Sequence, residues 1–376
     1  MVNAIDDYIQ IPVMDLATAE HKGLLQWIGN DVLEAFLAAV REQSIYQEPS
    51  SLKVVYTPLH GTGNIPVRAV LEPFNVSIVA SQELPDGNFS TVRSPNPEER
   101  DALTLGIEQA RAEGADLVLG TDPDCDRVGV AVKHLDDFVL LTGNQIGALL
   151  VDFVTRHREI KSGSTLVKTI VTNELGATIG RSRGLQVEDT LTGFKYIGDR
   201  INQYQKTGEK NFVIGYEESF GYLAGTHARD KDAVVASMLI VEMAAWHKDK
   251  DHTLIDALDE LYQQYGFFLD AFDSFTLKGA DGAQKIQAIM SELRVSGQSV
   301  VLSIKIVKDY ALGIDGLPAE NVRKFILEDN SWIAVRPSGT EPKIKVYYSI
   351  QDNSREDAKV RLDGYRAVFR EIIESQ

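Results

Sequence analysis

Three short segments of the 376-residue chain gather side chains that can do chemistry. The first is TDPDCDR, residues 121–127, in which Asp122, Asp124 and Asp126 alternate. Pro123 argues against a helix, and an extended loop would send all three carboxylates to the same side. Three crowded negative charges repel one another unless a cation sits among them. Hard oxygen donors of this kind suit magnesium or calcium, with waters and a substrate phosphate completing the shell. An EF-hand is excluded, because Arg127 stands where that loop needs glycine and Lys133 where it needs glutamate. An acid-rich surface turn is the plain alternative. Cys125 within the loop is expected to be a small spacer, since hard cations avoid thiolates.

The second segment is GYEESFGYLAGTHARDKD, residues 215–232. Glu217, Glu218 and Ser219 offer the acceptors and the hydroxyl that read sugar hydroxyls. His227, Arg229 and Lys231 add cations and candidate proton carriers. The third is RPSGTEPK, residues 336–343. Arg336 can grip a phosphate with two bonds, Ser338 and Thr340 supply hydroxyls, Gly339 frees backbone amides to turn toward one anion, and Lys343 and Lys345 add positive charge. A solvated charged loop and a Pro/Gly hairpin turn would read the same way. Lys195, in LTGFKYIG, is a further cation that could reach a phosphate. GTGN, residues 61–64, matches no nucleotide-binding fingerprint and reads as a tight strand-to-helix turn.

These segments need elements to hold them. Apolar spacing near 3.6 predicts one amphipathic helix over 23–43 (Leu24, Leu25, Ile28, Val32, Leu33, Phe36, Leu37, Val40). A strand over 52–56, a Gly-rich turn, a helix over 67–73 and a strand over 76–80 form a βαβ pattern that implies parallel pairing. A long polar loop over 85–97, a helix over 97–113 and a strand over 115–120 follow. A second alternating round covers helix 144–158, strand 165–169, helices 174–183 and 196–206, strand 212–216 and helix 230–247. From about Gly266 the pattern changes to a helix over 283–293, strands over 300–307, 322–327, 332–336 and 343–350, and a helix capped by Ser354 and Asp357. The expected fold is α/β: two α/β/α domains with mainly parallel mixed sheets, then a C-terminal α+β domain with an antiparallel sheet.

Composition narrows the function. With 44% hydrophobic and 25% charged residues, the chain reads as an ordinary globular protein of two or three domains. Thirty-eight basic against 55 acidic residues give a net charge of −17, which argues against a nucleic acid or an anionic membrane as the main partner. Any bound anion must be held by a local basic pocket. One cysteine permits no intrachain disulfide, and the simplest setting is reducing and cytoplasmic. MVNAIDDYIQ is not a signal peptide, and the apolar run 234–246, broken by Glu242, reads as a buried helix rather than a membrane span.

Together TDPDCDR, GYEESFGYL, RDKD and RPSGTEPKIKVYY stand in the order and approximate separation found in the α-D-phosphohexomutase family, and the chain resembles its bacterial phosphoglucomutase/phosphomannomutase type. YTPLHGTGN, PDGNF, PNPEER, LTGNQIGALL and DGLPAENV support the resemblance, which covers almost the whole chain. The family has four domains around one cleft, and the first carries a phosphorylated serine in a motif like T-A-S-H-N-P. None of the seven histidines here follows a serine. The resemblance therefore implies the family's second domain over 1–142, with 1–48 a lead-in from the first, its third over 143–265 and its fourth over 266–376.

By resemblance, Asp122, Asp124 and Asp126 match magnesium ligands and Arg127 the arginine beside the phosphoserine. Glu217 and Ser219 match the grip on sugar hydroxyls, and Lys231, with His227, the region of the general acid/base. Lys195 and Arg229 are further substrate-contact candidates. Arg336, Ser338, Gly339 and Thr340 match the loop that holds the phosphate not being transferred. The implied reaction interconverts glucose 1-phosphate and glucose 6-phosphate through glucose 1,6-bisphosphate. A chain without the serine would be inactive or nearly so unless that domain were supplied in trans. Phosphomannomutase specificity and a non-catalytic sugar-phosphate-binding module stand as alternatives. A magnesium-dependent phosphatase lacks its nucleophilic aspartate motif.

Overall fold

The computed structural model describes residue 5 and residues 7–277, 282–300, 303–338 and 342–375. Helices α1 (Leu16–His21) and α2 (Asn30–Arg41) precede a first sheet and its helices: β1 (Lys53–Thr57), α3 (Asn64–Val70), β2 (Asn75–Ile78), α4 (Thr104–Glu113), β3 (Leu117–Thr121), β4 (Val128–His134) and β5 (Asp137–Leu141). The sheet order is β2-β1-β3-β4-β5; β1 is parallel to β2 and to β3, while the β3–β4 and β4–β5 pairs are antiparallel. Every residue of β3 is buried, as expected of a strand covered on both faces.

A second mixed sheet follows in α5 (Gly143–His157), β6 (Ser164–Thr169), α6 (Leu175–Ser182), β7 (Gln186–Thr190), α7 (Phe194–Thr207), β8 (Asn211–Tyr216) and β9 (Tyr222–Ala224). Its order is β7-β6-β8-β9, parallel except for the last pair. Helices α8 (Ala233–Lys248) and α9 (Leu254–Tyr265) complete this part of the chain. Helix α8 is apolar all round, and residues 233–245 are buried without interruption. It packs on α3, β3 and β4 on one side and on α5, β9 and α9 on the other, so one helix serves as core for both sheets. Among the described residues no helix is long and apolar enough to cross a membrane. Glu242, the break in that apolar run, is buried and accepts from Ser44 Oγ (2.6 Å), Ile45 N (2.6 Å) and Tyr46 N (3.0 Å).

The last part holds β10 (Phe267–Thr276), α10 (Gly282–Val300), β11 (Ile304–Asp309), β12 (Arg323–Leu327), β13 (Trp332–Pro337), β14 (Lys343–Asp352) and α11 (Arg355–Glu374). Its sheet, β10-β14-β13-β12-β11, is antiparallel throughout. One face packs on the helices: Tyr348 and Phe325 meet Phe369 of α11, and Arg366 of α11 holds Asp273 at 2.9 Å. Because side chains alternate along a strand, their neighbours Tyr347 and Phe272 belong to the opposite face.

Several elements differ from the sequence reading. The helix expected over 23–43 is two pieces: Gly23 adopts a left-handed φ of 65° just after α1, and Gly29, in an extended conformation, caps α2. Glycine is a poor helix interior residue, and the chain uses both positions as breaks. Leu24, Trp27 and Ile28 are consequently 71–74% exposed, while Leu37 and Val40 are buried. The strand expected over 300–307 begins at Ile304 because α10 runs on through Val300; β-branching disfavours helix only weakly. Strands β5, β7, β9 and β10 and helix α9 have no counterpart in that reading.

Buried polar groups tie the third sheet to the second. Lys324 of β12 donates to Ile170 O at 2.6 Å and lies 4.0 Å from the centre of the Trp332 ring. Burial, with the Lys168 charge adding, brings its pKa down to about 8. Lys168 itself is fully buried and pairs with Glu174 (2.9 Å) and Asp189 (3.0 Å). Burial opposes its charge, but these two carboxylates outweigh it and hold its pKa above the ordinary value. Lys168→Met should cost about 3–5 kcal/mol, because removing one partner leaves the others as uncompensated charge. Urea unfolding monitored by circular dichroism measures it, and a loss below about 1 kcal/mol would contradict the assignment.

Candidate active site

The acidic segment sits where β3 ends and β4 begins. It is a tight turn rather than the extended loop expected: Cys125 N donates to Asp122 O (3.0 Å), and Cys125 has a left-handed φ of 58°. The carboxylates converge because the chain folds back on itself. Asp122 Oδ1 accepts from the backbone N–H groups of Asp126 (3.0 Å) and Arg127 (2.9 Å), which pins the turn. One oxygen from each of Asp122, Asp124 and Asp126 lies within 4.8 Å of the others. Asp126 Oδ1 is buried and has no hydrogen-bond partner among the described residues. Burial pushes the Asp122 carboxyl up to about 7, and the charges of Asp126 and Asp124 add to the rise. Three converging hard oxygens, one of them orphaned, fit a hard divalent cation of the magnesium class.

The GTGN turn supports this loop. Thr62 N donates to Pro123 O at 2.8 Å, and a Cβ on Gly61 would lie 2.4 Å from Pro123 Cα. Only glycine permits that approach.

The segment after β8 docks on the same turn from the other side. Val128 N donates to Phe220 O (3.2 Å) and Ala233 N to Cys125 O (3.1 Å). Lys231 Nζ then reaches Asp126 Oδ2 at 2.8 Å and Asp230 at 3.2 Å. Burial works against the Lys231 charge, but these carboxylates prevail and its pKa is raised, so it carries its proton at neutral pH. Arg127 pairs with Glu98 and lies 3.6 Å from Asp126. Glu217 is buried and accepts from Gly193 N at 2.8 Å. Burial of the Glu218 carboxylate, with the Glu217 charge adding, raises its pKa to about 7; the hydroxyls of Thr169 (3.3 Å) and Thr172 (3.4 Å) donate to it.

These groups meet the third sheet across a cleft of about 770 Å³. Arg127, Glu217, Ser219, Lys231, Arg336 and Lys345 all line it. Arg336, at the end of β13, contacts the Thr192 hydroxyl and lies 3.6 Å from Glu320, and its Nε is buried without a partner among the described residues. Ser338 N donates to Lys343 O (2.8 Å), closing the turn from β13 to β14; Gly339 and Thr340 lie outside the described residues.

Three sequence candidates stand elsewhere. His227 Nε2 bonds Asp232 Oδ2 (2.7 Å), the residue that caps α8, and its ring packs near Phe36. Arg229 is held by Asn202 (2.6 Å) and by the carbonyls of Thr226 and Ala228. Lys195 is exposed and lies over the Tyr196 ring. Several lining residues are not among the sequence candidates: Glu98 in PNPEER, Asn144 at the start of α5, Asp270 and Phe272 of β10, and Tyr347 of β14. Glu98 has a signal in its resemblance phrase. So do Asn144, in LTGNQIGALL, and Tyr347, in RPSGTEPKIKVYY, whereas Asp270 and Phe272 carry none, because they reach the cleft only through sheet pairing and the packing of the three parts.

Family models match three stretches of the chain: phosphoglucomutase/phosphomannomutase alpha/beta/alpha domain II over residues 34–135, alpha/beta/alpha domain III over 142–265, and the C-terminal domain over 278–363. A phosphoglucomutase of Staphylococcus saprophyticus is 35% identical over 371 residues, covering 93% of this chain and 66% of that protein. The chain thus spans just under two thirds of that relative's length. Among solved structures, a Thermus thermophilus protein described as a phosphomannomutase superposes with a TM-score of 0.63 at 22% identity, over 90% of this chain and 65% of its own. Parafusin, a phosphoglucomutase from Paramecium, gives 0.67 at 18% identity, over 92% and 62%. Both likenesses concern the fold.

Two outcomes follow from the geometry. Gly61→Ala should push Pro123 and the turn behind it out of place, lowering magnesium affinity on the order of tenfold by titration calorimetry, as loss of a supporting contact does at metal sites. For Glu218, the folded pKa of about 7 lies above the ordinary 4.5, so wild type loses stability as pH rises from about 4.5 to 7. Glu218→Gln lacks that loss. Its melting temperature relative to wild type should climb across this window and level off above it, and a pH-independent difference would refute the burial argument.

Proposed function

Because the chain belongs to the phosphoglucomutase/phosphomannomutase family, we propose that its cleft holds a hexose phosphate beside a magnesium ion and serves the interconversion of glucose 1-phosphate and glucose 6-phosphate through glucose 1,6-bisphosphate. The observation that carries this reading is one cavity bordered by Lys231, which grips the acidic turn, by the Glu217–Ser219 segment and by Arg336. A phosphate monoester of a sugar has the matching parts: a charged end and a ring of hydroxyls.

In this reading each side chain has a task at a stated atom. Arg336 and Lys345, which both border the cavity, hold the phosphate that is not transferred. Glu217 and Ser219 orient the sugar hydroxyls. Lys231, protonated beside Asp126, can give a proton to an oxygen that gains charge in the transfer, while Arg127 lends positive charge next to it. A magnesium ion bound by Asp122, Asp124 and Asp126 would neutralise charge on the transferring phosphoryl group. Positioning and electrostatics carry most of the acceleration in such a transfer.

The reaction also needs a phosphoryl carrier. No serine of these 376 residues is followed by histidine, so the reading places the carrier outside this stretch and gives the stretch little turnover by itself. The same observation favours a second reading, a sugar-phosphate-binding module without catalysis. Supplying a phosphoserine domain in trans separates the two, since it restores turnover only under the first.

Titration of the chain with glucose 1-phosphate and magnesium should show binding that weakens about 10- to 100-fold in Arg336→Ala, the loss expected when a charged hydrogen-bond donor to phosphate is removed. Chelating the metal should weaken it as well. A coupled assay with glucose 1-phosphate, magnesium and catalytic bisphosphate should give little product, and turnover at an ordinary mutase rate would overturn the assignment of the carrier. Mannose 1-phosphate in the same titration tests sugar preference.

A further inference from the structure

The cleft face of the third sheet carries a pattern that the phosphate grip leaves unexplained. Strand register places Arg336 opposite Lys345, and two residues further along β14 it places Phe272 opposite Tyr347. The face therefore shows a cationic rung and, about 7 Å along the strands, an aromatic rung. The two rings lie 5.5 Å apart at 37°, and Lys345 Nζ is 5.5 Å from the centre of the Phe272 ring. Phe272 is 52% exposed although large and apolar, and its exposed surface borders the same cavity as Glu217, Ser219 and Arg336. The other face of β10 and β14 is packed on α11, so this exposure is confined to the cleft side.

We infer that Phe272, backed by the buried ring of Tyr347, forms a stacking platform for the pyranose ring of a hexose phosphate whose phosphate rests on Arg336 and Lys345, making this rung the part of the cleft that separates cyclic sugar phosphates from acyclic phosphate esters. The inference rests on the sugar-phosphate reading above and adds to it a contact for the apolar side of the sugar. A pyranose has a face of C–H bonds with slight positive charge, and an aromatic face is negative. The cationic and aromatic rungs are spaced so that one ligand spans both: the phosphate on the first, the ring on the second. The Glu217–Ser219 segment borders the same cavity and supplies polar contacts for the hydroxyls.

The experiment titrates the full chain, with magnesium, against glucose 1-phosphate, glycerol phosphate and inorganic phosphate. Phe272→Ala should weaken glucose 1-phosphate binding by ~5- to 20-fold and leave the other two within about twofold of wild type, whereas Phe272→Tyr, which keeps the ring, should hold all three. Arg336→Ala should weaken all three. Unchanged glucose 1-phosphate binding in Phe272→Ala would overturn the platform while leaving the sugar-phosphate reading intact. Equal losses for all three ligands in that variant would also overturn it, since the ring would then only support the phosphate site. A wild-type chain that binds none of the three would remove the sugar-phosphate reading and the platform with it.

Discussion

Repulsion among Asp122, Asp124 and Asp126 is the constraint around which the other parts are arranged. Two like charges within 4.8 Å cost on the order of 3 kcal/mol at the effective dielectric of a protein surface, and the turn holds three such pairs. Nothing about an acidic segment would draw it into this shape by itself. It is forced by backbone contacts on both sides: Pro123 against Gly61, and Cys125 and Val128 against the segment that runs from Phe220 to Ala233. That second contact also brings Lys231 to Asp126. The cation that relieves the repulsion and the group placed to move a proton are thus one side chain, and the Glu217–Ser219 acceptors lie on the same docked segment.

The charge balance of the cleft follows the same logic. A chain with a net charge of −17 must concentrate what positive charge it brings to an anion. It does so by keeping each cation beside a carboxylate: Arg127 with Glu98, Lys231 with Asp126, Arg336 near Glu320. Each pair lowers the cost of holding a part-buried charge before any ligand arrives. It also makes the carboxylate a competitor, so an arriving phosphate has to offer a better geometry than the resident partner. Arg336 meets that condition most easily, because Glu320 stands 3.6 Å from it, the longest of these three contacts.

Residue types make the acidic turn legible in the sequence, but its shape is not. Alternation suggests an extended loop, whereas a left-handed Cys125 produces the convergence, and no composition signal marks that. Leu24, Trp27 and Ile28 have helical spacing but stand exposed, since periodicity reports an apolar face and not a partner to bury it. His227 lies four residues before Lys231, but its imidazole bonds Asp232, the cap of α8, and does not line the cleft. Strand β10 is hard to read because Asp270 and Asp273 interrupt its apolar run. Asp273 is explained by Arg366 of α11 and Asp270 by Asn173, both distant in sequence, so local pattern has no access to them.

Asp270 points to how the two ends of the cleft are kept at a fixed separation. Burial raises its carboxyl pKa to about 6, yet it sits where an apolar residue would pack without that penalty. Asn173 donates to it at 2.7 Å, and Asn173 is itself fixed by its N–H to Asn144 Oδ1 at 3.1 Å. Lys324 reaching Ile170 O makes a second polar tie between the same two sheets. Apolar contacts are non-directional and tolerate sliding, whereas hydrogen bonds of set length and angle specify one register. The sheet that carries Arg336 is therefore held against the loop that carries Glu217 by groups that are costly to bury. A ligand whose phosphate and ring must both be met needs that distance fixed, and directional contacts fix it where a purely apolar seam would not.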